Sequence, residues 1–287
     1  VCDTKEKRDL LAITPAAALG SCRWKLGDPK ENAEEFEEII RILRKNDIGY
    51  FIYTGGNDSM DTVYKLSVYC EEHNIDDIKV MGAPKTIDND LGETDHCPGF
   101  GSAAKFIATA FTEIACDCFV YDVPSVTIVE VMGRNAGYLA LWCGIANGAE
   151  DILLPEKYDY DEQKLINNII EGRKRGKKHH IIINAEGIGH SSSMAKRIEA
   201  ATGIETRATI LGHMQRGGNP TCIDRVHASM MGSYAVDLLA EGKTKRVVGY
   251  KNGEYVDFDI NEALAMEKGI SEYQYEVAKS LSANYSK

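Results

Sequence analysis

No stretch of this 287-residue chain approaches the ~20 consecutive apolar residues of a membrane span. The densest apolar run, Tyr138 to Ala146, is too short, and no segment has the pattern of a secretory leader. The eight cysteines, at positions 2, 22, 70, 97, 116, 118, 143 and 222, contain no CxxC pair and no regular spacing. Several lie inside apolar helical patterns, which predicts reduced core thiols of a cytoplasmic protein. Cys116 and Cys118 are two apart, so a helix points them away from each other, against a metal site there. Positive charge is also scarce: 33 Lys and Arg against 44 Asp and Glu leave a formal charge of −11. Nucleic acid and anionic membrane are polyanions, so neither is an expected partner, although local basic sites for a small anion remain open. Low-complexity tracts, internal repeats and long linkers are absent. A nicotinamide-dependent oxidoreductase would need a strand followed by GxGxxG, and Gly99-Phe100-Gly101 lacks that context. The initial methionine is missing too. The chain opens at Val1 within a helical pattern, so an N-terminal portion is expected to precede it.

With 44% hydrophobic and 27% charged residues, what is present reads as ordinary globular protein of one or two domains. A charged helical pattern over residues 4–12 comes first. Asn32 is placed to cap a helix running to about Lys45, with Phe36, Ile39, Ile40 and Leu43 on its apolar face. Strands and helices then alternate. Apolar runs at 48–53, 78–82, 126–131, 152–154, 180–185 and 205–211 predict strands, the first of them buried and parallel. Helical periodicities fall between them, near 60–69, 101–117, 138–147, 161–174 and 193–202, and a last one runs from Asn219 or Pro220 to about Glu241. Val247–Tyr250 and Tyr255–Phe258, joined by Asn252-Gly253, predict a hairpin. More than five strand-helix units exceed one comfortable sheet. The expected fold is α/β: two doubly wound halves with mainly parallel sheets facing each other across a cleft.

The loops carry the chemistry. Almost every strand ends in a loop with glycine plus an Arg, Asp, Glu or His, at the sheet end where ligands of open α/β folds collect. Thr54-Gly55-Gly56-Asn57-Asp58-Ser59 leads directly into a helix, aiming backbone N–H groups and a positive dipole end at an anion. Pro84-Lys85-Thr86-Ile87-Asp88-Asn89-Asp90 offers two carboxylates and a cation, the pairing needed to deprotonate a hydroxyl beside a phosphate. Taken alone, that loop is equally ordinary turn chemistry.

Together with Met132-Gly133-Arg134, Ala185-Glu186-Gly187 and Leu211-Gly212-His213-Met214-Gln215-Arg216-Gly217-Gly218, these loops resemble, in order and separation, the motifs of the 6-phosphofructokinase family. The resemblance runs from Gly20 to about Gly218 and implies phosphoryl transfer to the 1-hydroxyl of fructose 6-phosphate in glycolysis. It makes Asp88 the general base, with Arg134 reaching the transferring phosphate and Lys85 assisting. Thr86, Asp88, Met132, Gly133, Arg134, Glu186, His213 and Arg216 would hold the sugar phosphate. Arg207 resembles the arginine given to a neighbouring subunit, which implies a homo-oligomer, dimer or tetramer. The phosphate donor would meet Arg23, Gly55, Gly56, Asp58, Ser59 and Lys85. Mg²⁺ is the implied cofactor, with Asp90 as ligand and Asn57 standing where many members carry a metal-holding Asp. Ser125 occupies the place of another cross-subunit arginine. Residues 1–98 with 215–287 would form the phosphate-donor half and 99–214 the sugar-phosphate half, the family's first strand and Gly-Gly-x-x-Pro-Gly loop lying ahead of Val1.

Donor choice follows from two positions. ATP-using members resembled here carry glycines where this chain has Asp58 and Lys85. A carboxylate at 58 repels an α-phosphate, and a lysine at 85 suits the end of a shorter donor. The pair resembles the pyrophosphate-dependent branch, whose reaction is readily reversible. The alternatives are an ATP-dependent 6-phosphofructokinase and a non-catalytic or regulatory paralogue.

Overall fold

The computed structural model describes residues 3–18, 20–21, 24–157 and 161–284. Its elements run α1 (Lys5–Leu11), α2 (Ala33–Lys45), β1 (Tyr50–Gly55), α3 (Asn57–Glu72), β2 (Lys79–Pro84), α4 (Phe100–Val120), β3 (Ser125–Val131), α5 (Tyr138–Asn147), β4 (Asp151–Leu153) and α6 (Glu162–Lys174). They continue with β5 (His179–Ala185), α7 (Ser191–Thr202), β6 (Glu205–Ile210), a 3-10 turn (Gly212–Arg216), α8 (Cys222–Ala240), β7 (Arg246–Lys251), β8 (Glu254–Asp259), α9 (Ile260–Leu264) and α10 (Glu272–Asn284). The chain forms two compact units, one of Val1–Thr86, Asp90–Gly99 and Pro220–Lys268, the other of Ile87–Asn89, Phe100–Asn219 and Gly269–Lys287. This mixed α/β architecture with parallel sheets is the fold class the strand-helix alternation predicts.

The first unit holds a four-stranded sheet of order β1-β2-β7-β8, parallel except for the final hairpin partner. That hairpin closes through Asn252-Gly253, both at positive φ as a two-residue turn requires. Helix α2 packs by Phe36, Ile40 and Leu43, and Phe36 stacks on Tyr69 of α3 with ring centroids 5.0 Å apart. Asn32 occupies the N-cap of α2 but makes no side-chain cap bond. Glu34 and Glu35 in the first turn and Arg44 and Lys45 in the last instead complement the helix dipole. One expectation fails here: β1 is not buried, because it lies at the sheet edge, where Tyr50 is 59% exposed. A continuous apolar run does not distinguish an edge strand from a central one.

In the second unit four parallel strands take the order β4-β5-β3-β6. All seven residues of β5 are buried, and their side chains alternate between the two faces. Ile181 and Ile183 join the core made with Phe100, Ile107 and Leu141 of α4 and α5. Ile182 joins the opposite core, made with Leu165, Ile169, Met194 and Ile198 of α6 and α7. Residues 269–287, expected with the donor half, belong to this unit, as do residues 215–219. Helix α10 packs on α5 and β4, with Ala278 buried and Tyr275 partly buried against their core. The expected start of α8 at residue 219 or 220 moves to Cys222, because Thr221 accepts a capping bond from the Asp224 N–H at 3.3 Å.

Cys70, Cys97, Cys118 and Cys143 are buried and Cys116 is exposed, so Cys116 and Cys118 do diverge. Burial pushes the Cys70 thiol up to about 11 and the Cys143 thiol up to about 12. Among the described residues no group of three or more His, Cys, Asp or Glu side chains is arranged to hold a metal ion. No helix among them is long and apolar enough to cross a membrane.

The layer arrangement predicts unequal costs for truncation. Ile183→Ala, in the middle of a strand paired on both sides, is expected to cost about 2–5 kcal/mol in urea denaturation. Tyr50→Ala at the exposed edge should stay within about 0.5 kcal/mol. Equal losses would contradict this placement.

Candidate active site

In the first unit, β1 feeds Gly55 and Gly56 straight into α3, with Gly56 as its N-cap residue. Asn57, Asp58 and Ser59 therefore sit in the first helical turn, Asn57 and Asp58 exposed and Ser59 half-buried. The Lys85 N–H donates to the Gly55 carbonyl at 2.8 Å, holding the β2 loop against this turn. Lys85 itself is exposed, and Thr86 bridges to Gly99. The Asn57 amide donates to Asp90 Oδ2 at 2.7 Å, so the two residues expected near a metal are in contact. Asp58 is met by Lys25 Nζ at 3.1 Å, a partner that sequence reading did not assign.

Near Asp90, Glu93 is buried and Lys268 half-buried. Burial raises the pKa of the Glu93 carboxyl and lowers that of the Lys268 ammonium, and Asp90 is among the charges acting on both. Lys268 Nζ donates to the carbonyls of Thr94 at 2.7 Å and Asp95 at 3.2 Å, fixing the chain just past Asp90. No loop motif flagged this lysine. Arg23 lies outside the described residues.

In the second unit, Asp88 is buried and its Oδ2 lies 4.0 Å from Nε of the exposed Arg134. Arg134 has φ +52°, a left-handed backbone that costs a non-glycine residue about 1–3 kcal/mol. The strain is held by its surroundings. Glu186, carried at the end of β5, accepts on Oε1 from the Gly133 N–H at 3.0 Å and from the Arg134 N–H at 2.6 Å. Gln215 accepts on Oε1 from the Met132 N–H at 3.1 Å. Three consecutive N–H groups are thus taken by two side chains. Gly133 is itself required: at φ +139° a Cβ there would lie 2.3 Å from the Ala136 carbonyl.

These contacts revise several expectations. The Met132 side chain is buried in the core, and neither its N–H nor that of Gly133 is open to an anion. Glu186, expected on the sugar phosphate, spends Oε1 on shaping the Met-Gly-Arg loop. His213 and Arg216 stand exposed on the 3-10 turn, on either side of the buried Gln215. Arg207 lies on the edge strand β6, where its guanidinium donates twice to Glu205 of the same chain at 2.9 and 2.7 Å. Gln215 had a signal, since it lies inside the glycine-rich motif, but a neutral amide advertises no chemistry.

Strand-end loops that place a buried carboxylate beside an arginine, and a glycine-opened helix beside a lysine, define an α/β protein built to handle anions. The match to known proteins is more specific. Residues 4–239 match the family described as phosphofructokinase, and the chain belongs to that family. It is 44% identical over 246 residues to the ATP-dependent 6-phosphofructokinases of Clostridium botulinum (strain Loch Maree / Type A3) and Clostridium acetobutylicum (strain ATCC 824), covering 86% of this chain and 74% of each relative. Among solved structures it resembles the pyrophosphate-dependent phosphofructokinase of Marinobacter aquaeolei, with TM-score 0.80 and 29% identity. The pyrophosphate-dependent phosphofructokinase of Nitrosospira multiformis gives 0.83 and 27%. Each match covers 97% of this chain and 77% of the other. Family membership supports phosphofructokinase activity.

Gly133→Ala is expected to force the Met-Gly-Arg loop out of place and to lower stability by ~1–3 kcal/mol. Chemical denaturation measures this, and an unchanged midpoint would mean that the glycine is not needed there.

Proposed function

We propose that this chain transfers a phosphoryl group from inorganic pyrophosphate to the 1-hydroxyl of fructose 6-phosphate, giving fructose 1,6-bisphosphate. The observation that carries the donor is the layout at the start of α3. Asp58 stands in the first turn, paired with Lys25, and Lys85 is exposed on a loop bonded to Gly55. A carboxylate at that turn disfavours a long polyanionic nucleotide by bulk and like charge, while the lysine attracts a short phosphate chain. The solved structures of similar fold that are pyrophosphate-dependent by name agree with this reading. The relatives at 44% identity are ATP-dependent by name, and they make ATP the second reading.

In the proposed mechanism Asp88 accepts the proton of the 1-hydroxyl. The freed oxygen forms a bond to the terminal phosphorus, the bridging P–O bond breaks, and orthophosphate leaves with that electron pair. Arg134, whose Nε lies 4.0 Å from Asp88 Oδ2, would direct its guanidinium at the phosphate oxygens over which charge spreads. His213 and Arg216 hold the sugar phosphate, and Glu186 acts mainly by fixing the Arg134 backbone. Asp90 would hold Mg²⁺ together with the substrate phosphates, since the ion binds through one or two carboxylates, and Asn57, whose amide donates to Asp90 Oδ2 at 2.7 Å, would orient that carboxylate. Bound there, the ion would neutralise the donor's charge. In an oligomer Arg207 would leave Glu205 for a neighbour's sugar phosphate.

The test supplies fructose 6-phosphate and Mg²⁺ with pyrophosphate or ATP separately and measures fructose 1,6-bisphosphate. Turnover with pyrophosphate alone supports the proposal; turnover with ATP alone overturns the donor, and silence with both overturns the activity. Asp88→Asn keeps the side chain's shape and removes the base, so turnover should fall by about 10²–10⁴-fold with stability unchanged. Near-normal turnover would remove Asp88 from the mechanism. Replacing Asp58 and Lys85 together by glycine should weaken pyrophosphate use relative to ATP, and an unchanged donor ratio would rule out this pair as its cause.

A further inference from the structure

We propose that Gln215 is a positioning residue for sugar-phosphate binding: it locks the Met132–Arg134 loop to the turn that carries His213 and Arg216. This inference rests on the reading of those loops as the sugar-phosphate site.

Within a turn whose other polar side chains face solvent, Gln215 is 2% exposed. Its amide is used at both ends. Oε1 accepts from the Met132 N–H at 3.1 Å, and Nε2 donates to the Gly212 carbonyl at 2.9 Å. The first bond reaches the loop after β3, and the second pins the start of the same 3-10 turn.

The chemistry of this position is restrictive. Joining a buried N–H to a carbonyl takes one side chain that both accepts and donates, which among neutral side chains of this length is an amide. Glutamate at 215 would still accept from Met132 but could not donate to Gly212 when ionised. A purely apolar residue would leave the Met132 N–H buried without its acceptor. His213 and Arg216 lie two residues before and one after Gln215, so a shift of its anchor turns both side chains. The arrangement also divides the work on the loop. Glu186 sets the Gly133 and Arg134 N–H groups, and Gln215 ties the loop to the turn that carries the histidine and arginine. Gln215 touches no reacting atom and acts through its neighbours.

The experiment compares the full chain with Gln215→Met, which keeps volume and loses both bonds, and Gln215→Glu, which keeps the acceptor. KM for fructose 6-phosphate, KM for the donor, kcat and fructose 6-phosphate affinity by calorimetry are measured on each, with circular dichroism and melting temperature as fold controls. In Gln215→Met, KM and Kd for fructose 6-phosphate are expected to rise about tenfold or more, the cost of misplacing binding groups by a fraction of an ångström. The donor KM should stay within about twofold, and Gln215→Glu should recover part of the loss. A fructose 6-phosphate affinity within about twofold of the parent would overturn the positioning role, and so would equal rises in both KM values. Calorimetry separates this outcome from failure of the proposed reaction. A parent chain that binds fructose 6-phosphate without turning it over loses the reaction while the Gln215 comparison still stands or falls on Kd. A parent chain that does not bind it overturns both.

Discussion

The parallel register of β3 on β5, from Ser125 opposite His179 to Val131 opposite Ala185, brings both strands to an end at the same level. The Glu186 N–H then adds one more rung to the Val131 carbonyl at 2.9 Å. A shift by one residue would only exchange the isoleucines of β5 between two apolar cores, but it would take the buried Asn184 from Ser191 Oγ, its partner at 2.8 Å, so that polar contact favours the observed register. Once fixed, it delivers the Glu186 carboxylate to the Gly133 and Arg134 N–H groups, and those contacts hold Arg134 in its left-handed backbone beside Asp88. The arginine is thus posed by the strand register, through one carboxylate oxygen.

Charge is distributed with similar economy. In a chain of net charge −11, attraction for an anion has to come from local placement. Lys85, Arg134 and Arg216 are exposed at loop ends. Lys25 and Arg207 are also at the surface but engaged with Asp58 and Glu205. Exposed ion pairs of this kind are worth little in stability, and so are easily exchanged for a better anion.

The alternation of strands and helices was legible because periodicity reports which face an element buries, and it located every strand to within about two residues. Edge position was not legible: β1 and β5 read alike as apolar runs, yet one is half open and the other wholly buried. Helix α10 escaped notice because one alanine, Ala278, and one tyrosine, Tyr275, carry its contacts to the core. The loop motifs identified the family, since glycine, Asp, Arg and His at fixed separations encode backbone turns and charge together. They did not distinguish a side chain that meets a ligand from one that holds a loop. Glu186 and Gln215 are polar, lie in motifs, and spend hydrogen bonds on backbone groups. Such contacts connect residues 53 and 83 positions apart, beyond the reach of any local pattern.

The order of strands in the first sheet has a consequence for how the chain is made. β2 pairs with β7, and the Val80 N–H is bonded to the Thr244 hydroxyl across a separation of 164 residues. The strands of the second sheet all fall between Ser125 and Ile210. During synthesis that sheet can be completed while β2 waits with its β7 flank open until the hairpin of β7 and β8 emerges. Closing so long a loop is slow, and a waiting parallel pair exposes apolar surface. The sheet to which β1 and β2 belong is therefore begun before the second sheet and finished after it, and the interval before β7 arrives is when the nascent chain needs protection.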